Sequence, residues 1–190
     1  MLAILLATLV QTVPADPLSA RMQAQARTYE RVRPSPGIHL SPRAAAAYGM
    51  AAGCVPAVAT GRPATEFFHT ARSGRGRDPE GVHSVSVAVA LQQDAGGACT
   101  IVSRAGDPED LREAILKALD DQGAVRTTVS DTGRGSQDSN GPFRQELHCL
   151  TLDGQPMFLI MSTSDAANRV RLMASLGADA AGDCRRRGAS

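Results

Sequence analysis

The dipeptide Asp153-Gly154 constrains the fold of this chain more than any other local feature. Two stretches of strand-forming residues flank it, Arg144 to Leu152 and Gln155 to Ser162. An Asp-Gly pair between two such stretches is the strongest short signal for a β-hairpin, because both turn residues must adopt a positive φ. The sequence therefore predicts two antiparallel neighbouring strands around this turn.

The clearest helix signal precedes that hairpin. Asp107 is suited to cap a helix, Pro108 suits its first position, and Gly123 lies just past the expected end. Apolar residues recur between them at helical spacing, and a stripe of this kind requires a sheet to cover it. The stripe consists of Leu111, Ala114, Ile115, Ala118 and Leu119.

Two further helices are predicted nearer the N-terminus. Ser41-Pro42 resembles an N-cap followed by a proline at the first helical position. We therefore expect a helix from Arg43 to Cys54 that stops near Val55-Pro56, because proline removes a helical hydrogen bond. A second short helix is expected over Thr65 to Ala71.

In the middle of the chain, side chains of different polarity alternate with a period of two residues, which predicts strands. One continuous strand is expected from Val82 to Leu91, followed by a turn at Asp94 to Gly97 and a second strand from Cys99 to Ser103. A further strand is expected over Val125 to Val129. Hairpin connections therefore dominate.

The segment over residues 165–176 fits two interpretations. Ser164 could cap a helix that ends at Gly177, whereas Val170 and Leu172 fall at the alternating positions of a strand. The capping pattern favours the helix.

Taken together, the elements predict an α+β domain. We expect a mainly antiparallel sheet of about five strands, packed on one face by helices and stapled by disulfides. The expected organisation is a signal peptide at 1–15, a solvated arm at 16–40, the single α+β domain at 41–184 and a basic tail at 185–190. The apolar fraction of 43% is ordinary for a globular protein.

The first residues resemble a secretory signal peptide. An apolar run from Leu2 to Val10 has the length of a signal core and is too short to cross a bilayer as a stable helix. Val13-Pro14-Ala15 supplies small residues for cleavage. The sequence predicts a periplasmic or secreted protein with no transmembrane segment in its mature form.

Four cysteines support the same location. In an exported chain Cys54, Cys99, Cys149 and Cys184 are most simply two disulfides, with three possible pairings that the sequence leaves open. None of them forms a C-x-x-C motif, which excludes the common redox, haem-attachment and zinc-knuckle patterns. Cys54 also follows Ala51-Ala52-Gly53, a short match to a lipidation signal far from the start of the chain.

Composition argues against several classes of partner. The formal charge is +1, which provides no footprint for nucleic acid, and the 3% of aromatic residues offers little on which sugars or bases could stack. Lys117 is the only lysine, which is typical of a GC-rich bacterial coding bias. No cofactor motif is present.

Residues that could carry chemistry are few and scattered. His83 and His148 lie in predicted strands without a helical metal-binding spacing. Ser136 and Asp138 begin an EF-hand-like frame whose final ligand position holds Leu147, so no metal site is predicted. His83, His148, Asp138 and Ser136 are the weak catalytic candidates.

The sequence therefore predicts a small exported bacterial protein that acts as a non-catalytic accessory or interaction domain, with another envelope protein as a conceivable partner. One alternative is an envelope hydrolase whose residues converge only in three dimensions. The other is a domain that binds a peptide or a subunit through an exposed strand edge.

Overall fold

The described residues form one antiparallel sheet of eight strands with helices packed against it. The computed structural model describes residues 40–67, 82–133, 136–138, 141–166, 170–182 and 184. The predicted α+β class is therefore confirmed, although the sheet has more strands than the five expected. The strands are β1 (Val82–Ser84), β2 (Val89–Gln93), β3 (Cys99–Ser103), β4 (Val125–Asp131), β5 (Ser136–Asp138), β6 (Gly141–Leu152), β7 (Gln155–Ser164) and β8 (Leu172–Ala178).

The order of strands across the sheet is β1-β2-β3-β8-β7-β6-β4, and β5 pairs with the first residues of β6. Every pair is antiparallel. β8 is last in the described sequence and yet lies in the middle, between β3 and β7. The sheet therefore consists of two groups of strands that this strand joins.

Two of the helices begin where the sequence predicts. Helix α1 (Pro42–Tyr48) is capped by Ser41, and helix α3 (Pro108–Asp121) is capped by Asp107, whose carboxylate accepts from the amides of Glu109 and Asp110 at 2.9 and 3.0 Å. Both caps satisfy backbone N–H groups that have no partner inside the helix.

The expected helix stop near Val55-Pro56 is wrong. α1 continues as a π-helical segment (Gly49–Cys54) and then as α2 (Val55–Thr60), which ends at Gly61 with a φ of 65°. In the π-helical turn the amide of Val55 donates to the carbonyl of Met50, so the wider turn accommodates the missing N–H of Pro56.

A short 3₁₀ turn (Ala64–Glu66) follows α2. It takes the place of the start of the helix predicted over Thr65 to Ala71, and residues 68–71 lie outside the described residues. The leader at 1–15, the arm up to residue 39 and the tail at 185–190 also lie outside them.

The hydrophobic core lies between the helices and one face of the sheet. Alternate residues of β6 and β7, among them Leu150, Met157 and Leu159, face the helices and are almost fully buried. Leu111, Ile115 and other members of the α3 stripe meet them. The predicted packing of helices on one sheet face is what positions the buried polar groups discussed below.

The hairpin at Asp153-Gly154 is confirmed. Asp153 has a φ of 47° and Gly154 a φ of 83°, the positive values that this turn requires. Leu152 pairs with Gln155 across the turn, which sets the register of β6 and β7 along their whole length.

The single strand predicted from Val82 to Leu91 is wrong. The chain folds back on itself, so that β1 and β2 form a hairpin in which His83 pairs with Leu91. Ser84 donates its hydroxyl to the carbonyl of Ser86 at 2.9 Å, and such local bonds compete with an extended strand. Val87, at the turn, is 89% exposed.

The helix favoured over residues 165–176 is also wrong, and the strand alternative is correct. β8 pairs with both β3 and β7, so its backbone groups are satisfied on both sides. This pairing outweighs the capping signal at Ser164, whose hydroxyl instead accepts from the amide of Ala166 at 3.2 Å in a turn. Residues 167–169 lie outside the described residues.

The four cysteines form two disulfides, as predicted, and the structure decides their pairing. Cys54 of the π-helical segment is bonded to Cys99 of β3 within the core, which fastens the helices to the sheet. The buried bonded sulfur of Cys54 is therefore not a lipidation site. Cys149 of β6 is bonded to Cys184 on the opposite face of the sheet, which fastens the C-terminal segment.

Candidate functional site

The most concentrated chemistry in the described residues is a buried ion-pair network between α3 and the β4–β6 end of the sheet. We call it the Glu146 cluster. Its members are Glu109 and Arg112 of α3, Asp131 of β4, and Arg144, Glu146 and His148 of β6.

The alternation of β6 places two polar residues in the core. Glu146 and His148 share a sheet face with Leu150 and Leu152, and they are 2% and 1% exposed. That face packs against α3, where Arg112 projects from the first half of the helix. A carboxylate and an imidazole thus take positions that alternation normally gives to apolar side chains.

Glu146 is held by two arginines. Arg112 donates Nε to Oε2 at 2.6 Å and Nη2 to Oε1 at 2.8 Å, a bidentate pair, and Nη2 of Arg144 lies 3.2 Å from Oε1. The hydrogen bond to Glu146 raises the pKa of Arg112 above its ordinary value. An isolated carboxylate would be costly at this depth, and the two guanidinium groups offset that cost.

The outer members complete the network. Arg112 also donates to Oε1 of Glu109 at 2.8 Å, and Arg144 donates Nη2 to Oδ2 of Asp131 at 2.7 Å. The hydrogen bond from Arg144 lowers the pKa of Asp131. Acidic and basic groups therefore alternate through the cluster, and its arginines donate their hydrogen bonds to carboxylates of the same cluster.

His148 is the exception within this network. Its Nδ1 lies 3.1 Å from the hydroxyl of Thr128. Its Nε2 is buried and has no hydrogen-bond partner, which among the described residues is true of no other buried side-chain nitrogen or oxygen. Nε2 lies 3.7 Å from Oε1 of Glu146. Burial lowers the pKa of His148 below its ordinary value, so the imidazole is neutral near pH 7.

The space beside the cluster is very small. A cavity of about 10 Å³ lies beside Glu109, Phe143, Arg144 and Thr163, room for about one water molecule. A cavity of this size has no room for a substrate. The arrangement can hold α3 against the sheet, and it can respond to acid through His148.

The backbone places the four predicted catalytic candidates on three strands of the sheet. His83 lies in β1, five strands across the sheet from His148 in β6. Ser136 and Asp138 lie in β5, paired with Phe143 and Gly141 of β6. The side chains of His83, Ser136 and Asp138 lie outside the described residues, and His148 contacts groups that the sequence did not single out.

Those missed residues are Glu146, Arg112 and Arg144. One local signal could have found the first of them: Glu146 falls on the same alternation as Leu150 and Leu152, which marks it as a charged residue on a core face. Its partner Arg112 lies 34 residues earlier, beyond the reach of any spacing pattern.

A second concave feature is an open groove between α1 and α3, with a volume of about 490 Å³. The two helices lie side by side, and Arg43 of α1 lies 3.9 Å from Asp110 of α3. Small side chains form much of the groove floor. The residues that line it include Leu40, Ala44, Ala47, Ala114, Ala118 and Asp121.

Neither a metal site nor a membrane helix is found within the part of the chain that the structure describes. No three His, Cys, Asp or Glu side chains there are grouped so as to hold an ion. No helix in the same residues is both long and apolar enough to cross a bilayer.

Comparison with known proteins does not place the chain in a group. No protein-family model, curated protein or solved structure matches it.

Proposed function

We propose that this chain is an exported, non-catalytic accessory domain whose fold is stabilised by two disulfides and that acts by contact with another macromolecule. The observation that carries the proposal is the closure of the Glu146 cluster. Glu146 and His148, the groups there best suited to acid-base chemistry, are 2% and 1% exposed. A general base must come within hydrogen-bonding reach of the substrate proton that it abstracts.

Export is supported by two features. The apolar run from Leu2 to Val10 and the small residues before Asp16 have the pattern of a cleavable signal. All four cysteines are consumed in buried disulfides, which persist in oxidising compartments and are rare in the reducing cytosol.

The positions of the candidate catalytic residues in the sheet disfavour the hydrolase alternative. Its four candidate residues lie on β1, β5 and β6, and the strand order separates His83 from the others by most of the sheet. Catalytic dyads require side chains within about 3 Å of each other, often loosened somewhat before substrate binds.

The strand-edge alternative is disfavoured by the form of both edges. β1 has only three residues, and β4 carries an irregularity between Thr128 and Ser130 together with the charged residues Arg126 and Asp131. Short strands, bulges and edge charges are the means by which proteins protect sheet edges from further pairing.

Mass spectrometry of the protein isolated from its host tests the export part of the proposal. We expect a mature chain that begins at or near Asp16 and contains no free thiol. A chain that retains Met1, with four free thiols, would overturn it.

Turnover assays test the non-catalytic part. We expect the purified oxidised protein to release no product from chromogenic esters, phosphoesters, glycosides or peptides. His148→Asn is the informative variant, because it keeps a polar atom near the position of Nδ1. Turnover that this variant abolishes without a change in melting temperature would contradict the proposal.

A further inference from the structure

We infer that this protein forms a dimer of two identical chains, which pack against each other through the sheet face opposite the helices. We call this surface the outer face. The inference goes beyond the proposed function and does not depend on it, because two copies can associate whatever macromolecule the domain contacts.

Strand pairing determines which side chains share the outer face. Direct partners in antiparallel strands point to the same side of the sheet. Two rows of such partners cross the four central strands β6, β7, β8 and β3. One row consists of Leu147, Ile160, Ser175 and Thr100, and the next consists of Gln145, Ser162, Met173 and Val102.

An apolar ridge runs diagonally across these two rows. Leu147 is paired with Ile160, and Met173 is paired with Val102. Ile160 and Met173 are diagonal neighbours on adjacent strands, within reach of each other's side chains. They are 39% and 45% exposed. A contiguous group of exposed apolar side chains is typical of a protein interaction site.

The outer face also lacks charge. Four charged side chains occur in the described strands β2, β3, β4, β6, β7 and β8, namely Arg126, Asp131, Arg144 and Glu146. All four point to the helix side, where they bond to α3 or to each other. Charged residues make up 21% of the chain and are normally placed on exposed surfaces. Depletion of charge is characteristic of the core of a protein interface.

A second copy is the partner that a neutral face fits best. In a two-fold dimer the same patch lies on both sides, so a face of one charge sign would meet its own kind. A neutral face avoids that repulsion, and it offers no charge to attract an anionic or cationic partner. A lipid surface is a poorer fit, because Gln145 and Ser162 would lose water without gaining hydrogen-bond partners. The polar groups of a second copy can supply those partners.

The outer face is large enough for a stable dimer. At about 3.4 Å per residue and about 4.8 Å between strands, the six strands present a flat area of about 750 Å². Standard interfaces bury about 800 Å² of accessible surface on each partner, and projecting side chains add to the flat area. Two sheets packed face to face lie about 10 Å apart, which leaves room for Ile160 and Met173 to interdigitate.

Sedimentation velocity of the full chain, with both disulfides formed, measures the oligomeric state. Between about 1 and 100 µM we expect the fraction of dimer to rise with concentration or to be complete throughout. Because the outer face carries no charge, about 1 M NaCl should leave the dimer intact. A chain that is monomeric over the whole range, or a dimer that salt dissociates, would overturn the inference.

Ile160→Glu and Val87→Glu form a matched pair of variants. Both replace an exposed apolar side chain with a carboxylate, the first in the middle of the outer face and the second in the β1–β2 turn. Ile160→Glu places an unpaired charge in the interface of each copy, so the dissociation constant should rise by roughly a hundredfold or more. Val87→Glu should leave it unchanged.

Met173→Glu repeats the test on the neighbouring strand and should act as Ile160→Glu does. Circular dichroism and the melting temperature show that each variant is folded. A wild-type dissociation constant in both Ile160→Glu and Met173→Glu would place the contact elsewhere and exclude the outer face.

A photo-crosslinking amino acid at position 160 tests the contact without adding a charge. We expect a product with the mass of a dimer, in which the crosslinked peptide comes from β6, β7 or β8 of the second copy. Crosslinks only within one chain, or to a helix of the second copy, would contradict the inference. So would a monomeric chain that co-sediments with vesicles of phosphatidylethanolamine and phosphatidylglycerol, which would assign the outer face to a membrane surface.

Discussion

Arg112 and Glu146 form a bidentate ion pair that joins α3 to β6, with Nε to Oε2 at 2.6 Å and Nη2 to Oε1 at 2.8 Å. The pair lies where the apolar core ends and the charged end of the sheet begins. Removal of one partner from a buried pair leaves a buried charge with less compensation, which costs more than the pair contributes as a whole.

Arg112→Met leaves Glu146 with Arg144 as its remaining partner, so it should lower the free energy of unfolding by an amount that approaches about 3 to 5 kcal/mol only if Arg144 compensates poorly. Lys117→Met in the same helix is the control, because the pair between Lys117 and Asp121 is exposed and should cost less than about 1 kcal/mol. The double variant Arg112→Met/Glu146→Leu should recover much of the loss. Urea denaturation measures all three, and equal effects of the two single variants would show that burial does not strengthen the Arg112 pair.

Acid should weaken the fold through His148. Burial holds the pKa of His148 below the value of about 6.5 expected in the unfolded chain. Above pH 6.5 both states are neutral, and the contribution of His148 is fully present. As the pH falls below 6.5 the unfolded state takes up the proton first, so stability is lost by up to about 1.4 kcal/mol per pH unit.

Thermal or urea unfolding between pH 7.5 and 4.5 checks this dependence. Asp131 and Asp120, whose pKa values are lowered by Arg144 and Arg126, lose their contributions only below about pH 5, so the slope between pH 6.5 and 5 reports His148. His148→Asn should flatten the slope between pH 6.5 and 5. An unchanged slope in that variant would assign the acid sensitivity to another group.

A side chain at Gly177 of β8 would conflict with the ring of Phe158 in its present position. A Cβ at this position would lie 2.4 Å from Cζ of Phe158, its partner across β7, and 2.7 Å from Cε1. Gly177→Ala should displace the ring, and because Phe158 is only half-buried and can move, the cost should lie at or below the lower end of the about 1 to 3 kcal/mol typical of overpacking. Gly177→Ala combined with Phe158→Leu should recover stability relative to the two single variants, as a double-mutant cycle would show; strict additivity would mean that the ring is not the obstacle.

The two disulfides should restrict the unfolded chain to a similar extent, but they should differ in how much their packing stabilises the folded state. They close loops with sequence separations of 45 and 35, and each constrains the unfolded state by about 4 kcal/mol in the chain-entropy description. Cys54→Ala/Cys99→Ala should cost more in urea denaturation than Cys149→Ala/Cys184→Ala, because Cys54 and Cys99 are fully buried and their loss also leaves a core cavity.

Hydrogen exchange distinguishes the second disulfide further. The amide of Cys184 donates to Asp179 at 3.2 Å. Loss of the bond from Cys149 to Cys184 should release protection in residues 179–184 while β6 and β7 stay protected. Uniform loss of protection across the sheet would show that this disulfide stabilises the whole domain and not the C-terminal segment alone.

Local chemistry explains which elements the sequence could predict. The turn at Asp153-Gly154 and the cap of α3 at Asp107 depend on residues within a few positions of each other, and both were predicted correctly. β8 depends on partners far along the chain, whereas the β1–β2 hairpin depends on local hydrogen bonds around Ser84 and Ser86 that an alternating pattern does not reveal. Ser164 signals a helix locally, but β8 gains two neighbouring strands, and only the assembled sheet supplies them.

In the candidate site, too, the sequence reveals local features but not contacts between distant residues. His148 was singled out, but its surroundings were not, because Arg112 meets Glu146 across 34 residues of chain and a change from helix to strand. The pairing of Cys54 with Cys99 likewise follows from the contact of the π-helical segment with β3. Spacing along the sequence carries no information about either contact.

The central position of β8 has a consequence for how this protein comes to be folded. β3 and β7 are not neighbours, and Leu172–Ala178 must be in place before the β1–β3 hairpins and the β4–β7 strands share one sheet. Ribosomes make these residues after every other strand of the sheet, so co-translational folding cannot close the domain. Contacts between distant parts of a chain also form slowly. Within the described residues, the two groups of strands therefore cannot share one sheet until this last strand is synthesised, which is compatible with the export proposed above.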